Sequence, residues 1–229
     1  MQRQNVRRLF DSIAHRYDLL NHLLSGGIDF YWRRAAIDAL RSSAPKRILD
    51  VATGTADLAI ASLRLNPAEV IGVDISTPML ELGRRKVEAK NASAVIHLQE
   101  GEAEHLEFPS GDFDAAIVAF GARNFENLAG GLREMNRVLR KRGRIVVLEF
   151  SKPRAFPIRQ IYFSYFRHIL PLVGRLISRE KQAYQYLPDT VMAFPDGEEF
   201  VRILRDAGFS SITDQRLTFG IVSIYCGEK

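Results

Sequence analysis

Short apolar runs alternating with amphipathic stretches are the feature of this sequence that most limits its fold. Stretches of helical periodicity at 56–65, 77–91 and 127–140 lie between five such runs in the middle of the chain. This alternation is typical of a parallel sheet with helices on its faces. The runs predict five strands, at 47–51, 69–74, 94–99, 113–119 and 144–150.

The strands form the centre of what we expect to be one domain over 1–229. Its predicted parts are an N-terminal helical segment, the sheet core, an insertion, and a helix followed by a hairpin: 1–46, 47–150, 151–195 and 196–229. The insertion is far longer than an ordinary connecting loop. We expect the first and third parts to form a cap over the carboxyl ends of the strands, where open α/β sheets bind ligands.

The positive charge of the chain is concentrated in two segments. The net charge is +5; residues 1–47 carry nine Lys and Arg against four Asp and Glu, and 151–181 carry seven against one. A basic surface suits nucleic acid or an anionic membrane, and it also occurs without any partner. Because the sequence has no recognisable nucleic-acid-binding module, we expect no nucleic acid and favour the membrane.

The composition argues against several other classes of protein. The single cysteine, Cys226, excludes an intramolecular disulfide and any zinc site of several thiolates, which fits a reducing cytoplasm. The five histidines show no metal-ligand spacing, so no metal is predicted. The first residues contain no apolar signal-peptide core, and charges and a proline interrupt the apolar stretch 161–177, so we expect no membrane span.

Acidic residues follow three successive strands of the predicted sheet. The small-residue turn from Asp50 to Asp57 opens a helix, so a ligand can approach free backbone N–H groups there. Asp74 ends the second strand, where a carboxylate can accept hydrogen bonds from both hydroxyls of a ribose. Glu102 follows the third strand, where an acceptor for an adenine edge would lie. Each feature alone also fits a plain turn or a solvated loop charge.

Two cofactors fit this arrangement, NAD and S-adenosylmethionine. The glycines of a dinucleotide-binding loop are missing, since alanines occupy two of the positions, and the tail predicts a hairpin broken at 219–220 rather than a sixth parallel strand. Both observations favour a methyltransferase over a dehydrogenase.

Three motifs resemble those of a known family: Tyr17-Asp-Leu-Leu-Asn21 with Ser25 and Trp32, Phe120-Gly-Ala-Arg-Asn124, and residues 137–153. Over nearly its whole length the chain resembles the class I S-adenosylmethionine-dependent methyltransferases, and within them the C-methyltransferases of menaquinone and ubiquinone biosynthesis. The resemblance implies a Rossmann-like α/β fold with a mostly parallel sheet, a C-terminal antiparallel hairpin and a helical cap. The sequence departs from the family pattern at Leu20, Asp29, Ala56, Glu102, Ala119 and 141–143.

The resemblance also implies where the cofactor and the substrate bind. The expected contacts of S-adenosylmethionine are Asp50 and Gly54 at its methionine end, together with Thr55, Asp74, Glu102 and Ala103. Tyr17 and Asn21, four residues apart on one helix face, are expected to line the substrate pocket. We hypothesise that Arg123 stabilises an anion of the substrate and that Asn124 orients its ring. A structural salt bridge from Arg123 is the alternative, to a carboxylate such as Glu126 or Glu149.

The implied reaction is C-methylation of a polyprenylated quinol, with demethylmenaquinol as our first choice. The alternatives are the benzoquinol precursor of ubiquinone, another small molecule or RNA as methyl acceptor, an NAD-dependent oxidoreductase, and a non-catalytic protein. The basic, aromatic segment 156–171 either packs as a lid or rests on anionic lipid at the inner face of the cell membrane. A homodimer is a further expectation.

Overall fold

The computed structural model describes residues 3–165 and 181–229. Its strands are β1 (Arg47–Val51), β2 (Glu69–Asp74), β3 (Ile96–Glu100), β4 (Phe113–Ala119), β5 (Leu139–Phe150), β6 (Ser210–Leu217) and β7 (Val222–Glu228). They form one sheet in the order β3-β2-β1-β4-β5-β7-β6, in which β1 to β5 run parallel and β7 is antiparallel to both of its neighbours. This confirms the predicted parallel sheet with a C-terminal antiparallel hairpin.

Helices cover both faces of the sheet because the strands bury apolar side chains on both sides. The helices are α1 (Arg3–Ser25), α2 (Asp29–Asp38), α3 (Asp57–Ser62), α4 (Thr77–Ala89), α5 (Leu128–Val138), α6 (Ile158–Ser164), α7 (Lys181–Ala193) and α8 (Glu198–Asp206). One core cluster joins the sheet to α5 and α8 through Leu132 and Phe200. The other joins it to α2 and α3 through Ile37 and Leu58.

The boundary between α5 and β5 differs from the prediction. The periodicity predicts a helix over 127–140, whereas α5 ends at Val138 and β5 begins at Leu139. Leu139 has the extended dihedral angles φ −71° and ψ 141° and pairs with Phe113 of the neighbouring strand. Pairing with a buried strand therefore overrides the helical periodicity at this point. The start of β3 also differs from the prediction, because this strand begins at Ile96 rather than at 94.

The predicted cap is present in the described residues as α1, α2, α6 and α7. The second helix is shorter than its predicted span of 29–43, because α2 ends at Asp38 and only a short 3-10 turn, Arg41–Ser43, follows. The basic, aromatic segment 156–171 lies partly outside the described residues. No helix in the described ranges has both the length and the apolar character needed to cross a membrane.

Asp29, one of the departures from the family pattern, joins α1 to α2. Its buried carboxylate accepts hydrogen bonds from His22 Nδ1 at 2.8 Å and Ser25 Oγ at 2.8 Å, and it pairs with Arg33. Although burial raises the pKa of Asp29, the hydrogen bond from Ser25 and the charge of Arg33 outweigh burial and lower the pKa below its ordinary value. The ionised carboxylate of Asp29 thus holds the end of α1 against the start of α2.

Candidate active site

The loops that follow the strands enclose a cavity at the carboxyl end of the sheet. It lies beside β1 and β4, where the strand order reverses and open α/β sheets bind ligands. Five of the predicted site residues line the cavity: Tyr17, Gly54, Asp74, Ala103 and Asn124.

The loop after β1 exposes its backbone to this cavity. Ala52, Gly54 and Ala56 have φ values of 54°, 56° and 66°, which lie in the left-handed region. A Cβ added to Gly54 would meet no atom within 4 Å, so its backbone borders open space. A Cβ added to Gly121, in the loop after β4, would lie 2.6 Å from the Cβ of Ala52. The two loops therefore approach each other closely only because Gly121 has no side chain.

The carboxylate of Asp74 is held by backbone donors at the end of β2. The Gly54 N–H donates to Oδ2 at 2.8 Å, and the Ser76 N–H donates to Oδ1 at 2.9 Å. Burial raises the pKa of Asp74, hydrogen bonds from Ser76 and Gly54 oppose this rise, and the nearby carboxylate of Asp11 adds to it. The arrangement fixes both carboxylate oxygens at the cavity wall, where they can accept further hydrogen bonds.

Asp50, near the end of β1, does not line the cavity and is almost completely buried. Thr53 Oγ1 donates to its Oδ2 at 2.7 Å, whereas Oδ1 has no hydrogen-bond partner among the described residues. Burial outweighs the hydrogen bonds from Thr53 and from the Ala59 backbone, so the pKa of Asp50 rises to about 7. A buried carboxylate oxygen without a partner is a candidate acceptor for a donor on a ligand.

Thr55 faces α1 rather than the cavity. Its hydroxyl donates to Asp18 Oδ1 at 2.6 Å, and Lys86 Nζ of α4 lies 3.0 Å from Asp18 Oδ2. The Ser76 hydroxyl, in the loop after β2, donates to Asp11, which lies about two turns before Asp18 on α1. Side-chain contacts thus tie α1 across the loops that follow β1 and β2.

Glu102 and Ala103, predicted as neighbours at an adenine edge, face different spaces. Ala103 lines the cavity, whereas Glu102 lines an adjoining cleft that shares Ile75 and Gly101 with the cavity. Glu102 also forms a backbone bridge with His105. A ligand that filled both spaces would pass beside Ile75 and Gly101, which line both.

Arg123 forms a buried ion pair at the end of β5. Its Nη1 lies 2.8 Å from Glu149 Oε1, and the two side chains are 6% and 0% exposed. The guanidinium also donates to the Phe120 carbonyl and lies 5.5 Å from the centre of the Phe150 ring. Of the two carboxylates that the sequence left open, Glu149 is the partner. Arg123 therefore does not line the cavity itself, and its guanidinium is held by Glu149 next to the cavity-lining Asn124.

Two hydrogen-bonded tyrosine–asparagine pairs border the cavity. Tyr17 bonds to Asn21 of the same helix, and the Tyr186 hydroxyl of α7 donates to Asn124 Oδ1 at 2.7 Å. Burial raises the pKa of Tyr17 and of Tyr186, while the charge of Arg123 opposes the rise in both. The Phe10 ring makes edge contacts with both tyrosines, at centroid distances of 5.9 and 6.5 Å. The upper wall is therefore aromatic, with hydroxyl and amide groups held beside the cavity.

The model of the ubiE/COQ5 methyltransferase family matches residues 1–229. The chain belongs to this family.

Curated relatives extend over almost the whole of this methyltransferase. A protein of Bacteroides fragilis named demethylmenaquinone methyltransferase is 45% identical over 227 residues, which are 99% of this chain and 93% of the relative. A protein of Geotalea uraniireducens named ubiquinone/menaquinone biosynthesis C-methyltransferase UbiE is 46% identical over 228 residues, which are 99% and 97% of the two chains. These matches confirm the family that the motifs indicated.

Solved structures agree on the fold. A SAM-dependent methyltransferase of Thermotoga maritima superposes with a TM-score of 0.66 at 19% identity, covering 97% of this chain and 99% of that one. The predicted Rossmann-like methyltransferase fold is thereby confirmed, and the family makes the chain a methyltransferase with S-adenosylmethionine as donor. In the described parts of the chain, no three His, Cys, Asp or Glu side chains cluster as metal ligands.

The cavity of this methyltransferase fits that donor on its own evidence. Ribose hydroxyls suit the fixed oxygens of Asp74, and an ammonium group suits the buried Oδ1 of Asp50, which has no hydrogen-bond partner among the described residues. The backbone of Gly54, whose N–H already donates to Asp74, borders open space that the rest of the donor can occupy. When bound, the donor supplies an electrophilic methyl group on a sulfonium.

Phe10 and Tyr186 are among the residues of the site that were not predicted. Phe10 lies seven residues before Tyr17 on α1, a spacing that places both on one helix face, so the sequence carried a signal for it. Tyr186 is 62 residues from Asn124, and nothing in the sequence pairs the two. Only the folded chain brings α7 to the loop after β4.

Proposed function

We propose that this methyltransferase transfers a methyl group from S-adenosylmethionine to a ring carbon of a polyprenylated quinol, converting demethylmenaquinol to menaquinol. The observation that carries the proposal is a single cavity with two chemically different walls. Asp74 and the backbone of Gly54 line one part, and Phe10, Tyr17 and Phe120 line the other. A nucleoside suits the first part and a flat, apolar ring suits the second. The names of the relatives in Bacteroides fragilis and Geotalea uraniireducens support the same substrate class.

The donor would be held by the residues that follow the first three strands. Asp74 would accept hydrogen bonds from the ribose, and Asp50 and Gly54 would take the ammonium and carboxylate of the methionine end. Ala103, with Glu102 from the adjoining cleft, would meet the adenine. Thr55 would act indirectly, since its hydroxyl is bonded to Asp18 and holds α1 over the site.

The chain's remaining task is to make the ring carbon nucleophilic. Losing a phenolic proton raises the electron density at that carbon, and a positive charge nearby favours the phenolate. Arg123 would supply this charge through the cavity wall, and Asn124 would orient the oxygen by a hydrogen bond. Tyr17 and Asn21 would hold the ring against Phe10. As the new carbon–carbon bond forms, the bond from the methyl group to sulfur breaks, and the ring carbon then loses its proton.

Methyl transfer to a defined acceptor tests the proposal. The purified protein is incubated with S-adenosylmethionine and a reduced short-chain demethylmenaquinone, and the product is identified by mass and by the position of the new methyl group. The reduced benzoquinone precursor serves as the second acceptor. We expect methylation of the naphthoquinol ring carbon, and methylation of neither quinol would reject the proposal. Accumulation of demethylmenaquinone in a deletion strain would establish the physiological substrate.

We also propose that the protein rests on the inner face of an anionic membrane, because its substrate is dissolved there. Large apolar side chains are exposed on three elements: Phe30 of α2 (59%), Phe156 before α6 (81%) and Phe219 in the turn between β6 and β7 (77%). Tyr31 and Ile161 extend this surface and are also more than half exposed. Aromatic groups of this kind insert at the level of lipid headgroups.

Contacts hold these three elements at one end of the molecule. Trp32 Nε1 of α2 donates to Thr218 Oγ1 at 2.7 Å, which joins α2 to the turn that carries Phe219. The Ser151 hydroxyl, at the start of the segment that leads to Phe156, donates to the Gly220 carbonyl at 2.9 Å. Exposed Arg154 and Arg159 flank Phe156, so the surface combines apolar and positive groups.

Vesicle binding tests this surface. We expect the protein to sediment with vesicles that contain anionic lipid and less so at high salt, and the variant Phe30→Ser/Phe156→Ser/Phe219→Ser to remain in solution. The same variant should methylate a water-soluble short-chain quinol at the wild-type rate, which separates docking from catalysis. Equal binding of the wild type to neutral vesicles at any salt concentration would contradict the proposal.

The single domain over 1–229 and the homodimer stay predictions. Limited proteolysis tests the first, and sedimentation velocity of the purified protein tests the second.

A further inference from the structure

The contact between Tyr186 and Asn124 connects the inserted helix to the site. Asn124 ends a short 3-10 turn after β4, and its backbone N–H is bonded to the Gly121 carbonyl at 2.9 Å. The backbone at Asn124 is thereby fixed, but the amide at the end of the side chain can still rotate. The Tyr186 hydroxyl removes this freedom by donating to Oδ1 at 2.7 Å.

The orientation of this amide decides what it can do in the cavity. A primary amide has an acceptor oxygen and two N–H donors on the same carbon, so a fixed oxygen also fixes the direction of the donors. If the amide rotated by half a turn, its oxygen would replace its N–H groups at the cavity. An amide N–H can stabilise a phenolate, whereas an amide oxygen would repel it.

We propose that Tyr186 is a positioning residue: it orients the Asn124 amide so that its N–H groups face the quinol oxygen that loses its proton. The inference rests on the proposed quinol substrate and names a residue for it that lies in the cap. Tyr186 does not line the cavity, so it acts through Asn124. The site is complete only when α7 lies over the loop after β4.

The ring of Tyr186 is held by α1, because it packs at 85° against the Phe10 ring. The Thr190 hydroxyl donates at 2.9 Å to the main-chain carbonyl of Tyr186 within the same helix and does not contact the Tyr186 hydroxyl. Phe10 also contacts Tyr17, so α1 and α7 meet over the cavity. The substitution Tyr186→Phe would keep the ring and its packing and would remove only the hydroxyl.

The test compares Tyr186→Phe with Thr190→Val, which also removes one hydroxyl from α7 but leaves Asn124 untouched. With S-adenosylmethionine and a reduced short-chain demethylmenaquinone, we expect Tyr186→Phe to lower kcat about tenfold, the equivalent of one well-oriented hydrogen bond in the transition state. The Kd of the donor and the melting temperature should stay unchanged. The acidic limb of the pH profile of kcat should shift to higher pH, because the phenolate is less stabilised. Thr190→Val should retain the wild-type rate and profile.

A double-mutant cycle shows whether Tyr186 acts through Asn124. In the background of Asn124→Ala, Tyr186→Phe should have no further effect on kcat, and Asn124→Asp, which has no amide N–H, should be as slow as Asn124→Ala. An unchanged kcat and profile in Tyr186→Phe, or the same loss in the Asn124→Ala background, would overturn the inference alone. A wild-type protein that methylates no quinol would instead overturn the proposed function.

Discussion

The part of the cavity proposed for S-adenosylmethionine (the donor half) and the part proposed for the quinol ring (the substrate half) are built in different ways. The donor half is made of strand ends and backbone groups: the Asp74 carboxylate is held by the N–H groups of Gly54 and Ser76, which lie within the same layer of loops. The substrate half is lined by side chains from distant parts of the chain, such as Phe10 and Asn124, and Tyr186 of α7 contacts both from outside the cavity. The first half is therefore determined by the sheet itself, and the second only by how the cap packs on it.

This difference predicts that the two halves can be damaged separately. A substitution in the donor half should change the affinity for S-adenosylmethionine, and one in the substrate half should change turnover.

Removing Arg123 should have the largest effect. Arg123→Ala leaves the Glu149 carboxylate, which is 0% exposed, without its ion partner. Breaking a buried pair in this way costs about 3–5 kcal/mol, so we expect a loss of this size in the free energy of unfolding, measured in urea.

A double variant separates the structural effect of Arg123 from its effect on the reaction. Arg123→Met with Glu149→Gln leaves no buried charge and should recover most of the stability. It should remain far below the wild-type kcat, with the donor Kd nearly unchanged. If turnover returned together with stability, the pair would be purely structural.

The partner of Arg123 illustrates what the sequence could and could not specify. The carboxylates Glu126 and Glu149 were equally open, because both are near a strand end. The decision comes from the sheet: β4 and β5 run parallel with Ala119 opposite Leu148, so Glu149, near the end of β5, lies beside the loop that carries Arg123. Strand order and register are long-range properties that no local motif contains.

The donor half was easier to predict because its residues are tied to strand ends. Asp50 and Asp74 lie at the ends of β1 and β2, Ala103 follows β3, and parallel strands bring their carboxyl ends to one edge. The contact of Tyr186 with Asn124 does not follow from the position of a strand end, so the sequence could not predict it. The same holds for the position of Glu102 in the adjoining cleft. Helix packing and loop direction decide these features.

The free energy of unfolding should depend on pH through Asp50, the buried carboxyl group at the end of β1. Because burial raises the pKa of Asp50 from 3.8 to about 7, the folded state holds a proton that the unfolded state releases. Stability is therefore highest below about pH 4 with respect to this group and falls as the pH rises to 7. We expect a loss of about 3 kcal/mol between pH 4.5 and 7.5, at 1.4 kcal/mol per pKa unit.

The variant Asp50→Asn is the control for this measurement. It should remove most of the fall, and the rest belongs to Asp74, whose pKa is also raised by burial. Saturating S-adenosylmethionine should flatten the fall in the wild type, because an ammonium beside Asp50 favours the carboxylate. An equally steep fall in Asp50→Asn would assign the effect to other groups.

Asp74→Asn tests the donor half without touching the substrate half. The change removes the charge from the expected hydrogen bonds to the ribose, and hydrogen bonds to charged groups contribute about 1.5–3 kcal/mol, so the Kd of S-adenosylmethionine should rise roughly 10- to 100-fold. Calorimetry measures the Kd, and the KM of the quinol should stay constant.

Glu102→Gln is the comparison for Asp74→Asn. Because Glu102 faces the adjoining cleft, we expect this variant to raise the Kd of S-adenosylmethionine only a fewfold. Equal effects would place the adenine in that cleft.

The smallest effect is expected where the two halves share one helix. Asp18 of α1 is about one-third exposed and pairs with Lys86 at 3.0 Å, so Asp18→Asn should cost only about 0.2–1 kcal/mol of stability, with a dependence on salt. The same change loosens α1 over the donor, and we expect a two- to threefold rise in the Kd of S-adenosylmethionine, on the order of 0.5 kcal/mol. Asp38→Asn, which removes a more exposed ion pair with Arg41 and lies outside the cavity lining, should leave that Kd unchanged. Because Phe10 and Tyr17 lie on α1 beside Asp11 and Asp18, a looser α1 should also lower turnover slightly, and this coupled loss would mark α1 as the element that joins the two halves. A change in Kd without any change in turnover would instead assign α1 to the donor half alone.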